Sequence, residues 1–138
     1  MVKAWTTREK NRIMKRYAMR EWFDEVYGIR FLSFRHVPLD STDPLDYINN
    51  EFLKGKIAEY DIDPQDFVLT DAGTTAKFLN DDLPLHLVVF LFEDAKPLSS
   101  AVAHEAFHGA RCVLDRAGVG DEEAIAYYVG YLVKNIAE

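Results

Sequence analysis

The residues best placed to do chemistry are His104-Glu105-Ala106-Phe107-His108. They spell H-E-x-x-H, the short signature of a zinc hydrolase helix. Two residues four apart lie nearly above one another on an α-helix, so His104 and His108 can offer imidazole nitrogens to one Zn²⁺ ion. Glu105 follows the first histidine and can still reach a water on that ion, where a general base has to stand.

Two histidines leave such a site incomplete, because a catalytic zinc usually takes three protein ligands and keeps one position open. Downstream, Gly118-Val119-Gly120 is turn chemistry, and Asp121-Glu122-Glu123 opens a further helical pattern. Two antiparallel helices joined by a short turn can set a carboxylate of the second beside histidines of the first. Glu123 is the first candidate for the third ligand and Glu122 the second, although acids also favour a helix's first turn through its dipole. A phenol can donate to a developing oxyanion, which makes Tyr127 and Tyr128 the candidates for that role. One turn beyond Glu123, Tyr127 can alternatively brace a ligand, and tyrosines among apolar neighbours are commonly core residues.

Other candidates fall away. The extended metzincin pattern needs Gly at 111 and His at 114, where this chain has Arg111 and Leu114. From His104, Cys112 lies about 12 Å along a helix and about 80° around it, and reads as a small core residue. His36 and His86 are isolated, and read as partly exposed strand histidines.

The elements that must position these groups follow from periodicity and punctuation. Thr6 or Thr7 caps a basic helix expected over 6–27 and stopped by Gly28. Ile29 to Val37 reads as a strand, and Asp43-Pro44 opens a helix to about Glu59. Asp61 to Asp66 reads as a loop or short turn, and Phe67 to Thr70 as a possible short strand. Gly73 to Leu79 and Leu85 to Phe92 look like a hairpin joined by Asn80-Asp81-Asp82. The motif helix is expected over about 99–117, capped by Ser99 or Ser100, and the last helix over about 121–136, capped by Asp121.

At 138 residues and 49% apolar content, the chain suits one domain spanning 1–138. There is no repeat and no linker long enough to divide it. The first residues show no apolar leader, the longest apolar run (Leu87 to Phe92) is too short for a bilayer, and Cys112 is the lone cysteine. These features lead us to expect a cytoplasmic protein with no membrane partner. Residues 1–35 carry nine Lys or Arg against four acids, and the remainder seven against nineteen. A basic first helix can contact nucleic acid. Charge blocks more often mark solvated faces, or here a face docked on the acidic remainder, so a nucleic-acid partner is not expected.

His104-Glu105-x-x-His108, Gly118-Val119-Gly120, Glu123-Ala124-Ile125-Ala126-Tyr127 and Gly130-Tyr131 together resemble the small zincin-like metallopeptidases of bacteria and their phages. The same stretch is similar in outline to gluzincins and more distantly to ImmA/IrrE-type peptidase domains. Phe107 and Ile125 depart from the pattern of the last group, which is therefore not assigned. The resemblance covers about the last quarter of the chain. It implies an α+β, zincin-like fold, in which a small mixed sheet packs on the motif helix and an antiparallel helix follows. It implies Glu123 as third ligand, and a sheet edge, from either strand of the hairpin, that binds an extended peptide.

The expected function is a zinc-dependent metallopeptidase acting on a peptide or protein, in the host cytoplasm if phage-encoded. His104, His108 and Glu123 would hold Zn²⁺ with Glu105 as general base, and Tyr127 is the catalytic candidate beside it. The alternative is a catalytically inactive zincin-fold binding or structural module with a structural zinc. Nothing in the sequence fixes the substrate or the oligomeric state.

Overall fold

The computed structural model describes residues 5–60, 62–80, 83 and 85–137. It is a mixed α+β structure of four strands and four α-helices: α1 (Thr7–Arg16), β1 (Arg20–Asp24), β2 (Ile29–Phe34), α2 (Asp43–Glu51), β3 (Gly73–Phe78), β4 (His86–Phe92), α3 (Ser99–Arg116) and α4 (Glu122–Ala137). Two 3₁₀ turns, Ile57–Tyr60 and Pro64–Phe67, lie between α2 and β3. No described helix is long and apolar enough to cross a membrane.

The sheet order is β1-β2-β4-β3. β1 and β2 are antiparallel, β2 and β4 parallel, and β3 and β4 antiparallel. β4 lies inside the sheet and both its faces are covered, which is why its sequence is an unbroken apolar run rather than an alternation. Leu87, Val89 and Leu91 join the core cluster that also holds residues of α1 and α2. Val88, Phe90 and Phe92 join the cluster of α3 and α4. The sheet is thus the middle layer of three.

The helix expected over 6–27 is shorter than its spacing suggests. A capping box starts it: Glu9 N donates to Thr6 Oγ1 at 3.1 Å, and Thr6 N to Glu9 Oε1 at 3.2 Å. It ends at Arg16 because Tyr17 is drawn fully into the core and Ala18 turns the backbone to φ 45°. The chain then returns as β1, where Trp22 stands opposite Phe31 and stacks on it at 5.3 Å. Phe31 lies parallel to Phe90 at 6.1 Å, so an aromatic ladder crosses three strands. Each such pair contributes about 0.5–1.5 kcal/mol beyond area burial, which outweighs the helical spacing of the same residues.

The second predicted helix also stops early, at Glu51, where Lys54 and Gly55 take positive φ of 52° and 81°. Phe67 to Thr70 is no strand: Phe67 closes a 3₁₀ turn. The last four predicted elements stand within about two residues of their expected ends. Asp81 and Asp82 of the proposed hairpin turn lie outside the described residues. Leu98, not Ser99 or Ser100, occupies the N-cap of α3, with no side-chain cap bond. At α2 the N-cap is Thr42.

The basic α1 is docked on acidic neighbours. Lys10 pairs with Glu51 at 3.0 Å and Arg16 with Asp43 at 3.9 Å. On the other side of the sheet, α3 and α4 run antiparallel. At Gly109 α3 lies close against the sheet: a Cβ there would stand 2.7 Å from Phe90 Cζ and 3.2 Å from Leu132 Cδ1 of α4. Only glycine fits without moving one of them.

Candidate functional site

The motif lies well inside α3. Its buried stripe is Val102, Glu105, Ala106, Gly109, Ala110, Val113 and Leu114. His104 and His108 fall outside that stripe and face solvent. Their Nε2 atoms stand 3.1 Å apart, with ring centroids at 4.7 Å and planes at 82°. Two nitrogens bound to one tetrahedral ion at about 2.0–2.1 Å would be roughly 3.3 Å apart. The pair therefore has the bite of one metal ion, and it can equally share an imidazole–imidazole hydrogen bond when both rings are neutral.

Glu105 is 7% exposed, a rare condition for a carboxylate. Its Oε2 is 3.9 Å from His104 Nε2. The other oxygen, Oε1, accepts from Thr75 Oγ1 of β3 at 2.9 Å, and the same hydroxyl lies 3.0 Å from the Glu105 carbonyl. Gly73, also on β3, leaves room for this side chain: a Cβ there would be 3.2 Å from Glu105 Cγ. Thr75 and Gly73 were not singled out from the sequence, because only the tertiary approach of β3 to α3 gives them a role.

The remaining predicted site residues stand elsewhere. Glu123 is exposed in the first turn of α4, where its N–H donates to Asp121 Oδ1 at 3.3 Å. Asp121 therefore caps α4 as expected. Leu132 is the α4 residue level with Gly109, the neighbour of His108. Glu123 is nine positions nearer the turn, about 13 Å along the helix. Leu114 shares a groove with Ala124, the neighbour of Glu123. That part of α3 is about 9 Å beyond His108 and about 120° around from it. The structure brings His104, Glu105 and His108 together, and Glu123 and Glu122 do not stand with them. Among the described residues, no three His, Cys, Asp or Glu side chains gather as a metal-ready cluster.

Tyr127 is 78% exposed and lines the same groove as Ala124, with Asp24, away from Glu105. Tyr128 is buried, and its hydroxyl donates to Asp24 Oδ2 at 2.5 Å. Burial and the Asp24 carboxylate both push this phenol's pKa up. Cys112 is half-buried, its Sγ donating to the Gly109 carbonyl at 3.1 Å, and burial pushes its thiol up to about 11. His86 lies at the start of β4 with Arg116 Nη2 3.0 Å from its Nε2. His36 is exposed just past β2 at φ 59°.

Compared with known proteins, the chain matches no family model, no curated protein and no solved structure.

Proposed function

We propose that this chain is a zinc-dependent hydrolase of the zincin type, acting on peptide bonds. The observation that carries the reading is the convergence of two imidazole Nε2 atoms at 3.1 Å beside a buried carboxylate. A structural zinc site, usually closed by four protein ligands, has no need of such a base.

When bound, zinc supplies a Lewis acid that polarises a carbonyl and activates water. His104 and His108 are the residues that would hold it. Glu105 takes the proton from the attacking water and passes it to the leaving amine, while Thr75 keeps one carboxylate oxygen fixed. Being last in the sheet order, β3 has one row of backbone donors and acceptors with no strand partner among the described residues. An extended peptide can pair there with little demand on its sequence. β3 also carries Thr75, so a peptide on this edge would pass close to Glu105.

One observation weighs against catalysis and keeps a second reading, a zincin-fold binding or structural module: among the described residues, two imidazoles converge without the third protein ligand that a catalytic zinc usually takes. Elemental mass spectrometry on the purified chain and on His104→Ala separates the readings at the first step. About one zinc per chain, lost in the variant, supports the hydrolase site. Peptide cleavage abolished in Glu105→Gln with zinc retained then identifies the enzyme. No zinc after incubation with the metal at neutral pH overturns both zinc readings. Zinc without cleavage of a peptide library favours the module.

A further inference from the structure

A groove of about 420 Å³ lies between α4, the C-terminal part of α3 and the β1–β2 hairpin. It is independent of the histidine pair. Its walls are the side chains of Tyr27, Tyr127, Tyr128 and Tyr131, with Leu114 below and one carboxylate, Asp24. None of the residues lining it is basic. The volume falls within the range of about 300–1,000 Å³ common for small-molecule sites.

We propose that this groove binds a small molecule carrying a quaternary ammonium group. The argument is chemical complementarity. Aromatic faces carry negative quadrupole density and attract cations, most strongly where water is excluded. An anion would meet the Asp24 carboxylate with no basic side chain in the wall to offset the repulsion. A neutral apolar ligand would gain nothing from the carboxylate.

The rings are held rather than loose. Tyr27 meets Tyr128 edge-on at 5.5 Å and 89°, and Tyr128 lies 5.4 Å from Tyr131. Asp24 is 8% exposed and fixed from both sides, by Val26 N at 2.9 Å and the Tyr128 hydroxyl at 2.5 Å. Each carboxylate oxygen accepts one of these bonds, which leaves further lone pairs in the wall. Tyr127, at 78% exposure, stands at the rim, where it can close over a bound headgroup. A trimethylammonium group suits such a wall better than a primary ammonium. It has no N–H to satisfy, and its charge is spread over methyl groups that pack against rings.

Isothermal titration with choline, and with its neutral isostere bearing a tert-butyl group in place of trimethylammonium, tests the idea on the intact chain. Amide chemical shifts report where each ligand sits. We expect choline to bind with shifts confined to α4 and the β1–β2 hairpin, and the isostere to bind at least about fivefold more weakly. Tyr127→Ala, an exposed position whose loss leaves the core intact, should weaken choline binding by about threefold or more. Asp24→Asn should weaken it further, provided its circular dichroism matches the parent. A trimethyl-lysine peptide is the comparison arm: tighter binding of the peptide than of choline would overturn a free small molecule as the ligand. Equal binding of choline and isostere, shifts elsewhere, or an unchanged affinity in Tyr127→Ala would overturn the cation site.

Discussion

Thr75 Oγ1 reaches Glu105 twice, 2.9 Å from a carboxylate oxygen and 3.0 Å from the carbonyl of the same residue. One edge-strand hydroxyl thus fixes both the backbone and the side chain of the candidate base. Thr75→Val keeps the shape and removes the donor. It should cost about 1–3 kcal/mol, because a buried carboxylate oxygen loses its partner. Urea denaturation measures the loss, and a shift of less than a few tenths of a kcal/mol would mean that water replaces the hydroxyl.

The placement of Glu123 predicts an outcome for metal binding. Glu123→Gln and Glu122→Gln should each leave zinc stoichiometry and affinity within about twofold of the parent, whereas His108→Ala should abolish binding. Competition with a chromogenic chelator reads this directly. A tenfold or greater loss in Glu123→Gln would show that α4 shifts towards the histidines when metal binds.

Gly109→Ala adds one methyl group against Phe90 and Leu132. Overpacking of this kind costs about 1–3 kcal/mol, and the strain falls beside His108. Thermal unfolding should show the drop, and zinc affinity should fall with it, since the helix must back away from the sheet to relieve the clash.

The fate of Cys112 above neutral pH follows from its burial. Its folded thiol titrates at about 11 against an ordinary 9.0. Between those values the folded chain keeps a proton that the unfolded chain has released. Stability is therefore fully present below pH 9 and falls as pH rises through 11. Tyr47, pushed up to about 12 by burial, extends the decline to higher pH. Urea midpoints for the parent and Cys112→Ala, taken along an alkaline series, should show a shallower fall in the variant over the thiol's window. A thiol reagent should label the folded chain slowly at neutral pH.

The part of the fold nearest the motif was the most legible. β4, α3 and α4 announce themselves through a long apolar run, a well-formed helical stripe and the Gly118 turn, all of them local signals. The N-terminal third was harder, because Trp22 and Phe23 satisfy helical spacing and strand pairing alike. Only the stacking of Trp22 on Phe31 decides between them. Gly55 was a visible stop for α2, but the apolar Phe52 and Leu53 kept the helical pattern running up to it. At the site, the spacing of His104 and His108 fixes their convergence once a helix forms. The relation of Glu123 to them depends on which flank of α3 is covered by α4. The small residues Ala106 and Ala110, in line with Leu114 at four-residue steps, carried a trace of that information, since small side chains permit close helix packing.

The parallel pairing of β2 with β4 joins Ile29 to His86 and Phe34 to Leu91. More than fifty residues of chain have to be looped out before the first of these ladder bonds forms, and antiparallel hairpins at either flank cannot substitute for it. Such non-local closure slows folding towards the millisecond-to-second range typical of high contact order. The histidine helix comes still later in the chain, after β4. On the ribosome, the motif therefore has nothing to dock on until the central strand has emerged and found its partner. A nascent chain halted between β3 and β4 has α1 and α2 for one face of β2 but nothing yet to cover Ile29 and Phe31 on the other, which makes this stretch of synthesis the window in which the protein is most open to misassembly.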